Sequence, residues 1–384
     1  MVFADLRAWL RALRATGALL RTHDALARGQ RPALGPLLDA TDQPVLLPPA
    51  GKGFGAALGL YSTFQPLALA LGCGPGDTPR ALLAAAVARR RTLVDAEFVA
   101  PSAAACKQVV RRGAAAELHL LEPQATGQLG ARLRGIAICG QPAAGQLHLG
   151  LVAAASDGPR HIRLWPALPR DPAWHVLRAA AERGEPAPVA IASGVAPAVT
   201  LAAAEQLPAG DPYAVASALL GAPLRITEGE SSELEIPTTA ELVIEGHLDG
   251  TTGDALRVVV EVISHRREPI AEYWHPRLWR SETALLQRVG RGAGLQATLA
   301  DRGWVIQAVG LYAAEQAEVA ILQCREPVGS LDALLAALHD TPWADTCLLV
   351  VGPEIDPLAP EQVLRAYLGA DEGAAAQAHE SPDA

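Results

Sequence analysis

Three short segments of the 384-residue sequence contain residue types that catalytic motifs use. Residues 72–77 (GCGPGD) and residues 51–53 (GKG) are rich in glycine, but neither has the spacing of a dinucleotide-binding loop or of a P-loop. Ser193 precedes a glycine but has no glycine two positions before it, so it does not form a nucleophile elbow. We therefore interpret both glycine-rich segments as turns.

A cluster of aromatic and basic residues lies between positions 274 and 280. It contains Trp274, His275, Arg277, Trp279 and Arg280. Trp and Arg dominate the binding energy of many protein–protein interfaces, so this composition is compatible with an interface hot spot. A loop that packs on neighbouring strands has the same composition, and the sequence leaves both interpretations open.

The charge balance narrows the classes of partner. The net charge is −9, whereas nucleic-acid binding depends on clustered Lys and Arg that face phosphates, so we predict no nucleic-acid partner. No apolar run reaches the roughly 18–20 residues that cross a bilayer, and the first residues lack the pattern of a signal peptide. Together with five dispersed cysteines, these features predict a cytoplasmic protein without a membrane partner.

The order of predicted elements divides the chain into units. Apolar residues at helical spacing predict an N-terminal helix from Phe3 to about Arg28, which contains Leu6, Trp9 and Leu13. From about residue 117, short β-like runs separated by Gly, Pro or Asp are typical of a barrel or another all-β unit. After residue 280 helices and strands alternate, which indicates an α/β layer. We predict an α/β (α+β) chain with an N-terminal α/β domain (1–112), a central β domain (113–275), a C-terminal α/β segment (276–370) and a disordered tail (371–384).

The segment from residue 188 to residue 246 is the most informative. Residues 188–210 read PVAIASGVAPAVTLAAAEQLPAG, residues 211–226 read DPYAVASALLGAPLRI, and residues 231–246 read SSELEIPTTAELVIEG. This succession resembles the UbiD family of prenylated-FMN-dependent decarboxylases, in which a strand leads to an Ala-rich helix, a short helix and a strand pair. The resemblance implies that the central domain is a split β-barrel of the flavin-reductase type and that the chain is a degenerate, shortened member.

The resemblance also implies where the family's chemistry should lie. Family members use a modified flavin, a divalent metal that clamps the flavin phosphate, and a Glu–Arg–Glu network. Their barrel strand typically reads N-x-G-x-x-R, with a metal-binding Asn and a catalytic Arg. Residues 148–153 here read HLGLVA, which puts His148 and Ala153 at those two positions. The other two ligand positions hold Ala167 and Pro212, so we expect neither the catalytic Arg nor a metal site.

The acidic motif of the family, E-G-P-[FY]-G-[ED], is absent. After Gly246 the chain continues through a short loop to a new strand, and no such motif lies between Gly253 and Leu256. We interpret Asp249 and Asp254 in this loop as turn residues, since Asp and Gly are common in hairpins. The sequence identifies no cofactor-binding set.

Three residues remain as candidates for cofactor binding, namely His148, Arg163 and Glu205. Three functions remain open. The first, which we favour, is a cofactor-free partner or regulatory subunit of a (de)carboxylase, as a homo-oligomer or in a hetero-oligomer with a catalytic UbiD-type subunit. The second is a divergent carboxy-lyase for an aromatic or unsaturated carboxylic acid that uses prenylated FMN, a divalent metal and a site rebuilt around His148, His265 or Arg266. The third is a small-molecule-binding module whose pocket is enlarged by Ala153 and Ala167.

Overall fold

The computed structural model describes residues 3–21, 41, 43–49, 54–74, 76–113, 118, 131–141, 146–207, 210–313, 318–325, 330–341, 343–368 and 377–378. The predicted turn at residues 51–53 lies outside these ranges, as does all of the predicted tail except residues 377–378.

The N-terminal part combines short strands with helices. Its elements are α1 (Leu6–Ala15), β1 (Leu20–Arg21), β2 (Val45–Leu47), β3 (Gly55–Leu58), α2 (Phe64–Ala70), α3 (Pro79–Arg90), β4 (Glu97–Phe98), two 3-10 turns (Pro101–Ala103 and Ala105–Lys107) and β5 (Val109–Arg112). The side chain of Asp5 caps α1 by accepting a hydrogen bond from the backbone of Ala8. The predicted apolar face of α1 is buried.

A closed barrel of six antiparallel strands forms the centre of the chain. The elements of this region are β6 (Arg132–Gln141), β7 (Gln146–Ser156), β8 (His161–Pro166), α4 (Pro172–Glu182), β9 (Pro188–Ser193), α5 (Pro197–Glu205), α6 (Pro212–Leu220), β10 (Arg225–Glu228), β11 (Glu235–Pro237), β12 (Leu242–Thr252), β13 (Ala255–His265) and β14 (Ile270–Trp274). The barrel order is β6-β7-β8-β13-β12-β9, and β9 pairs with β6 to close it. The mixed α/β fold and the predicted barrel are therefore confirmed.

The barrel sheet continues beyond the closed cylinder. Strand β14 pairs with β6 on one side and with β3 on the other, and β2 and β1 extend the sheet from β3. Strand β5 pairs with β13, and β4, β10 and β11 form a separate three-stranded sheet. The N-terminal strands are thus joined to the barrel by backbone hydrogen bonds through β14.

The C-terminal part contains a second layer of helices and strands. Its elements are α7 (Trp279–Leu286), a π-helical turn (Gln287–Arg291), α8 (Gly292–Asp301), β15 (Ile306–Ala313), β16 (Glu318–Cys324), α9 (Leu331–Ala336), β17 (Cys347–Val351), α10 (Pro360–Leu368) and β18 (Gln377–Ala378). The four strands form one sheet in the order β15-β16-β17-β18. None of the helices in the described ranges combines the length and the hydropathy that crossing a bilayer requires.

Alternating side chains of β6 and β7 belong to two different cores. Leu133 and Val152 fill the barrel interior, whereas Ile136, Leu151 and Ala153 lie on the outer face of the barrel. Helices α5 and α6 cover that outer face with apolar side chains of the same core. Because each fully buried aliphatic side chain contributes about 1.5–3 kcal/mol, this layer binds the helices firmly to the barrel.

Candidate functional site

The two family positions on β7 point away from each other. Strands β6 and β7 pair without a register shift, with His148 opposite Cys139 and Ala153 opposite Arg134. Successive side chains of a strand alternate between its faces, so His148 lies on the same face as Cys139 of the barrel interior, whereas Ala153 lies on the outer face. His148 is half-buried, and burial lowers the pKa of its imidazole. The two positions do not converge on one ligand.

The other two metal-ligand positions hold side chains that cannot bind a metal. Ala167 is buried in the outer-face core, and its N–H donates to the carbonyl of Leu151 at 2.8 Å. Pro212 is the buried first residue of α6, where Asp211 caps the helix by accepting from the N–H of Tyr213 at 2.8 Å. Among the described residues, no group of three or more His, Cys, Asp or Glu side chains could hold a metal ion. The residues at the family's positions therefore do not fit the divalent metal that would clamp a flavin phosphate.

A two-residue turn joins β12 to β13 where the family's acidic motif would lie. Thr252 pairs with Ala255, which leaves only Gly253 and Asp254 in the turn. Gly253 has a φ of 63°, whereas the φ of Asp254 is negative, which is the pattern of a type II′ hairpin turn. The carboxylate of Asp254 accepts a hydrogen bond from Trp165 Nε1 at 3.3 Å. The turn has no room for the two carboxylates of the motif.

The remaining cofactor candidates occupy separate surroundings. Glu205 is buried at the end of α5 and accepts two hydrogen bonds from Arg90 Nε, at 3.0 and 3.2 Å. Burial raises the pKa of Glu205, and Arg90 opposes this effect. Arg163 lies on β8 and is partly exposed, and its Nε is 3.4 Å from a carboxylate oxygen of Asp157. His148, Arg163 and Glu205 thus have different partners.

The residues considered for a rebuilt site also serve other contacts. The guanidinium of Arg266 is 3.1 Å from the buried carboxylate of Glu241. The ring of His265 packs against Phe54 with 5.0 Å between centroids, and burial lowers its pKa. In the described part of the chain, no hydrogen bond or ion pair joins either side chain to His148, so these three residues do not form one site.

A buried charged cluster lies beside Ala153, and sequence reasoning missed it. We define the Arg134 cluster as Arg134, Glu272, Glu282, Tyr61 and Trp274. Arg134 Nη1 donates to Glu272 Oε2 at 2.6 Å. The Arg134 guanidinium lies over the Tyr61 ring, 3.8 Å from its centroid, and 4.9 Å from the centroid of Trp274. Because Arg134 is directly opposite Ala153 on the same face, a guanidinium is present next to the position where the family's Arg is missing.

The two carboxyl groups of the Arg134 cluster differ in their hydrogen-bond partners. Glu282 Oε1 accepts from the N–H of Tyr61 at 3.1 Å, and burial raises the pKa of Glu282 to about 7. Burial also raises the pKa of Glu272, but the adjacent Arg134 opposes this effect. Within the described residues, Arg134 Nε, Glu272 Oε1 and Glu282 Oε2 have no hydrogen-bond partner. The cluster therefore holds a carboxyl group paired with Arg134, a second carboxyl group whose pKa lies near neutral pH, and three polar atoms with unused bonding capacity.

An open cleft lies beside Trp274. We define the Trp cleft by its lining residues, Arg132, Trp274, Pro276, Trp279 and Arg280, which enclose about 320 Å³. The rings of Trp274 and Trp279 are 4.9 Å apart between centroids and inclined by 46°. The aromatic and basic cluster of the sequence is thus divided, since Trp274 is buried whereas Arg280 is exposed.

Replacing Glu282 with glutamine is expected to change how stability depends on pH. The folded chain holds the proton of Glu282 up to about pH 7, whereas the ordinary pKa is 4.5. Folding therefore takes up a proton between these values, and this contribution to stability is lost as the pH rises through that window. Glu282→Gln keeps an acceptor for Tyr61 but cannot ionise, so it should exceed the wild type in stability at pH 8, by up to about 3 kcal/mol.

Urea unfolding of both proteins between pH 4.5 and pH 8 tests this expectation. Asp171 has a pKa that burial raises to about 7, so it adds a slope of the same sign to both proteins, and only their difference reports Glu282. Glu182→Gln changes an exposed glutamate and serves as the control. Parallel stability curves for the wild type and Glu282→Gln would show that Glu282 is already ionised in the folded state.

Comparisons with known proteins agree on one family. Residues 132–257 match the UbiD family, described as the 3-octaprenyl-4-hydroxybenzoate carboxy-lyase Rift-related domain. The phenolic acid decarboxylase of Bacillus subtilis (strain 168) is 31% identical over 147 residues. That alignment covers 34% of this chain and 31% of the relative, so the chain matches less than a third of the relative's length.

The fold extends this similarity to nearly the whole chain. The UbiD-class enzyme HmfF from Pelotomaculum thermopropionicum, in an evolved dimeric form with prFMN, superposes with a TM-score of 0.73 at 23% identity, over 95% of this chain and 90% of HmfF. The vanillic acid decarboxylase ShVdcCD of Sedimentibacter hydroxybenzoicus, in its closed form, gives 0.76 at 22% identity, over 96% of this chain and 85% of that one. Residues 132–257 thus match the UbiD domain, and nearly the whole chain shares the fold of UbiD-class decarboxylases.

Proposed function

We propose that this chain is a non-catalytic member of its family that acts as a partner or regulatory subunit of a (de)carboxylase. The observation that carries the proposal is the packing at the family's functional positions. Ala153 and Ala167 belong to one continuous apolar core, and Pro212 is buried at the start of α6. A metal-clamped flavin phosphate would need oxygen or nitrogen ligands at positions 167 and 212, and Ala167 and Pro212 supply none.

The relatives support the second half of the proposal. One structure of HmfF is an evolved dimeric form, and the vanillic acid decarboxylase structures are of ShVdcCD, one of them with a truncated ShVdcD. Assembly with other chains is therefore compatible with this fold. A chain without a catalytic site can keep such an interface, because its barrel and helical layers are intact.

We expect protein produced together with a flavin prenyltransferase to be colourless. With no metal ligand at positions 167 and 212 and no catalytic Arg at position 153, neither the flavin nor a divalent metal should be retained. Absorbance spectra, flavin release on denaturation and elemental analysis measure both, and a family enzyme with intact ligands prepared in the same cells serves as the positive control. Stoichiometric flavin in this chain would contradict the non-catalytic half of the proposal.

Association with a catalytic subunit needs its own experiment. The chain is co-expressed with a catalytically competent UbiD-type protein encoded beside it, and native mass spectrometry determines which complexes form. The proposal expects a mixed complex and a change in decarboxylation rate when this chain is added. If the two proteins stay separate and the rate is unaffected, the partner role is wrong.

A divergent active carboxy-lyase is the second candidate, and one observation favours it. Arg134 puts a guanidinium opposite Ala153, and Glu272 and Glu282 bring two carboxyl groups to it. This set contains the residue types of the family's Glu–Arg–Glu network. The candidate expects decarboxylation of an aromatic or unsaturated acid that Glu282→Gln abolishes while the folded structure persists. Loss of activity without loss of structure would separate it from the first proposal.

A further inference from the structure

We propose that helix α7 is held against the barrel by one proton shared between Glu272 and Glu282, and that α7 loosens when this proton is lost. We call these two residues the carboxyl pair. Both belong to the Arg134 cluster, and they are 3% and 1% exposed. The inference concerns the conformation of the chain and stands whether or not the chain has a catalytic partner.

The charges around the carboxyl pair do not balance when both groups are ionised. The groups that face Glu282 from neighbouring elements are Arg134 of β6, Glu272 of β14 and the N–H of Tyr61. Arg134 already pairs with Glu272 at 2.6 Å, so one guanidinium faces two carboxyl groups. Two buried carboxylates that share one cation leave a negative charge uncompensated, and one of two such groups normally keeps its proton.

The surroundings of the carboxyl pair add no further compensation. Glu241 acts on Glu272 as a second negative charge, and Arg7 and Arg266 form ion pairs with Glu241 itself. Within the described residues, Glu272 Oε1 and Glu282 Oε2 accept no hydrogen bond. A buried carboxylate oxygen without a donor is costly, whereas a protonated carboxyl group carries no charge. Burial raises the pKa of Glu282 to about 7, in line with a proton retained by the pair.

Helix α7 is the element that responds, because Glu282 ties it to the N-terminal part of the chain. Glu282 Oε1 accepts from the N–H of Tyr61 at 3.1 Å. No side chain caps the start of α7, and a helix of eight residues is too short to be stable without its packing. An ionised Glu282 is stabilised by reaching water, and a shift of α7 is the movement that brings it there.

The chain on both sides of α7 is fixed, so the movement is local. Strand β14 pairs with β3 and β6. After α7 the π-helical turn packs closely on α5, since a Cβ at Gly290 would lie 2.8 Å from the carbonyl oxygen of Leu201. Trp279, the first residue of α7, packs on Trp274 with 4.9 Å between centroids. A loosened α7 therefore exposes more of the buried Trp274 ring.

The loosening follows the pH in one direction. The ordinary pKa of a glutamate is 4.5, whereas Glu282 holds its proton up to about pH 7 while α7 is docked. Opening therefore releases a proton, and the opening equilibrium increases as the pH rises from 4.5 to 7 and levels off above that value. Helix α7 should be tightly docked at pH 5 and looser at pH 7.5.

Hydrogen exchange of the full chain at pH 5 and pH 7.5, read by mass spectrometry, tests the proposal. Protection factors, which remove the pH dependence of the chemical exchange rate, are compared for peptides that cover α7 and for the β12–β13 hairpin. We expect the protection of α7 to fall by at least about tenfold between the two pH values. It should be insensitive to about 1 M urea, because a local opening exposes little surface.

Two results of this measurement overturn the proposal. One is that α7 keeps its protection at pH 7.5. The other is that α7 and the hairpin have the same protection and lose it together, because exchange then reports global unfolding.

Two isosteric variants assign the effect to the carboxyl pair. Glu282→Gln cannot ionise and should keep α7 protected at both pH values. Glu272→Gln frees Arg134 to pair with an ionised Glu282, so α7 should also stay protected at pH 7.5. Glu182→Gln changes an exposed glutamate of α4 and should respond as the wild type does. The proposal is overturned if either variant of the pair, with its hairpin still protected, shows the wild-type fall in α7 protection.

Discussion

Arg134→Met is expected to destabilise the folded chain by on the order of 3–5 kcal/mol, because it leaves a buried carboxylate without its partner. Glu272 is 3% exposed, and Arg134 is the cation within hydrogen-bond distance of it, at 2.6 Å. The variant also removes the guanidinium from between Tyr61 and Trp274. The loss should be smaller at pH 5 than at pH 8, since Glu272 can then take up a proton and become neutral.

Two further variants separate the buried charge from general disruption. Arg134→Met combined with Glu272→Gln removes both charges and should recover part of the lost stability in urea unfolding. Arg178→Met breaks an exposed pair of α4 with Glu182 and should cost no more than about 0.5 kcal/mol. The expectation is contradicted if the free energy of unfolding of Arg134→Met lies within about 1 kcal/mol of that of the wild type. It is also contradicted if the double variant is no more stable than Arg134→Met.

Local patterns predict those parts of the fold that depend on neighbouring residues. The helical spacing of Leu6, Trp9 and Leu13 predicted α1 and its buried face. Along residues 132–141 and 146–156, successive side chains of β6 and β7 alternate between two buried environments. One lies inside the barrel, and the other lies under the helices. The predicted length of the first helix was wrong. The sequence predicted a helix that reaches about residue 28, whereas α1 ends at Ala15 and strand β1 begins at Leu20.

The Arg134 cluster could not be predicted in this way. Charged residues at positions 132 and 134 of an alternating strand normally face water. Arg134 is buried because Glu272 and Tyr61, which are each more than seventy positions away in the sequence, pack against it. Burial of this kind depends on tertiary contacts that no local pattern contains. The pairing of Ala153 with Arg134 follows from the register of β6 and β7, which the sequence analysis did not predict.

The retained glycines of the family pattern have structural roles here. Gly150 lies in the strand segment that resembles the family's metal-binding strand, yet a Cβ at this position would overlap the carboxylate of Asp171. Asp171 accepts hydrogen bonds from the N–H groups of Leu151 and Trp174, and it caps α4. The glycine therefore permits a helix to dock on the barrel. Sequence similarity at such positions therefore reflects the packing of the fold and does not indicate catalysis.

Gly246→Ala is expected to destabilise the barrel severely, costing about 3 kcal/mol or more. Gly246 lies where the pairing of β12 with β13 shifts register, and a Cβ there would overlap the carbonyl oxygen of Val259 and approach its carbonyl carbon to 2.9 Å. These are backbone atoms of a paired strand, so relief requires the two strands to separate. Side-chain rotation cannot provide it.

Gly253→Ala on the same hairpin provides the matched control. Its φ of 63° makes alanine unfavourable, but no atom lies within 4 Å of the added Cβ, so the cost should be limited to about 1–2 kcal/mol. Thermal unfolding and soluble yield of both variants measure the difference. Equal losses would mean that strand β13 can move away from Gly246. A much larger loss at Gly246 would instead explain why a chain without the family's catalytic residues still has the Glu245–Gly246 pair, since closing the barrel requires a glycine there regardless of chemistry.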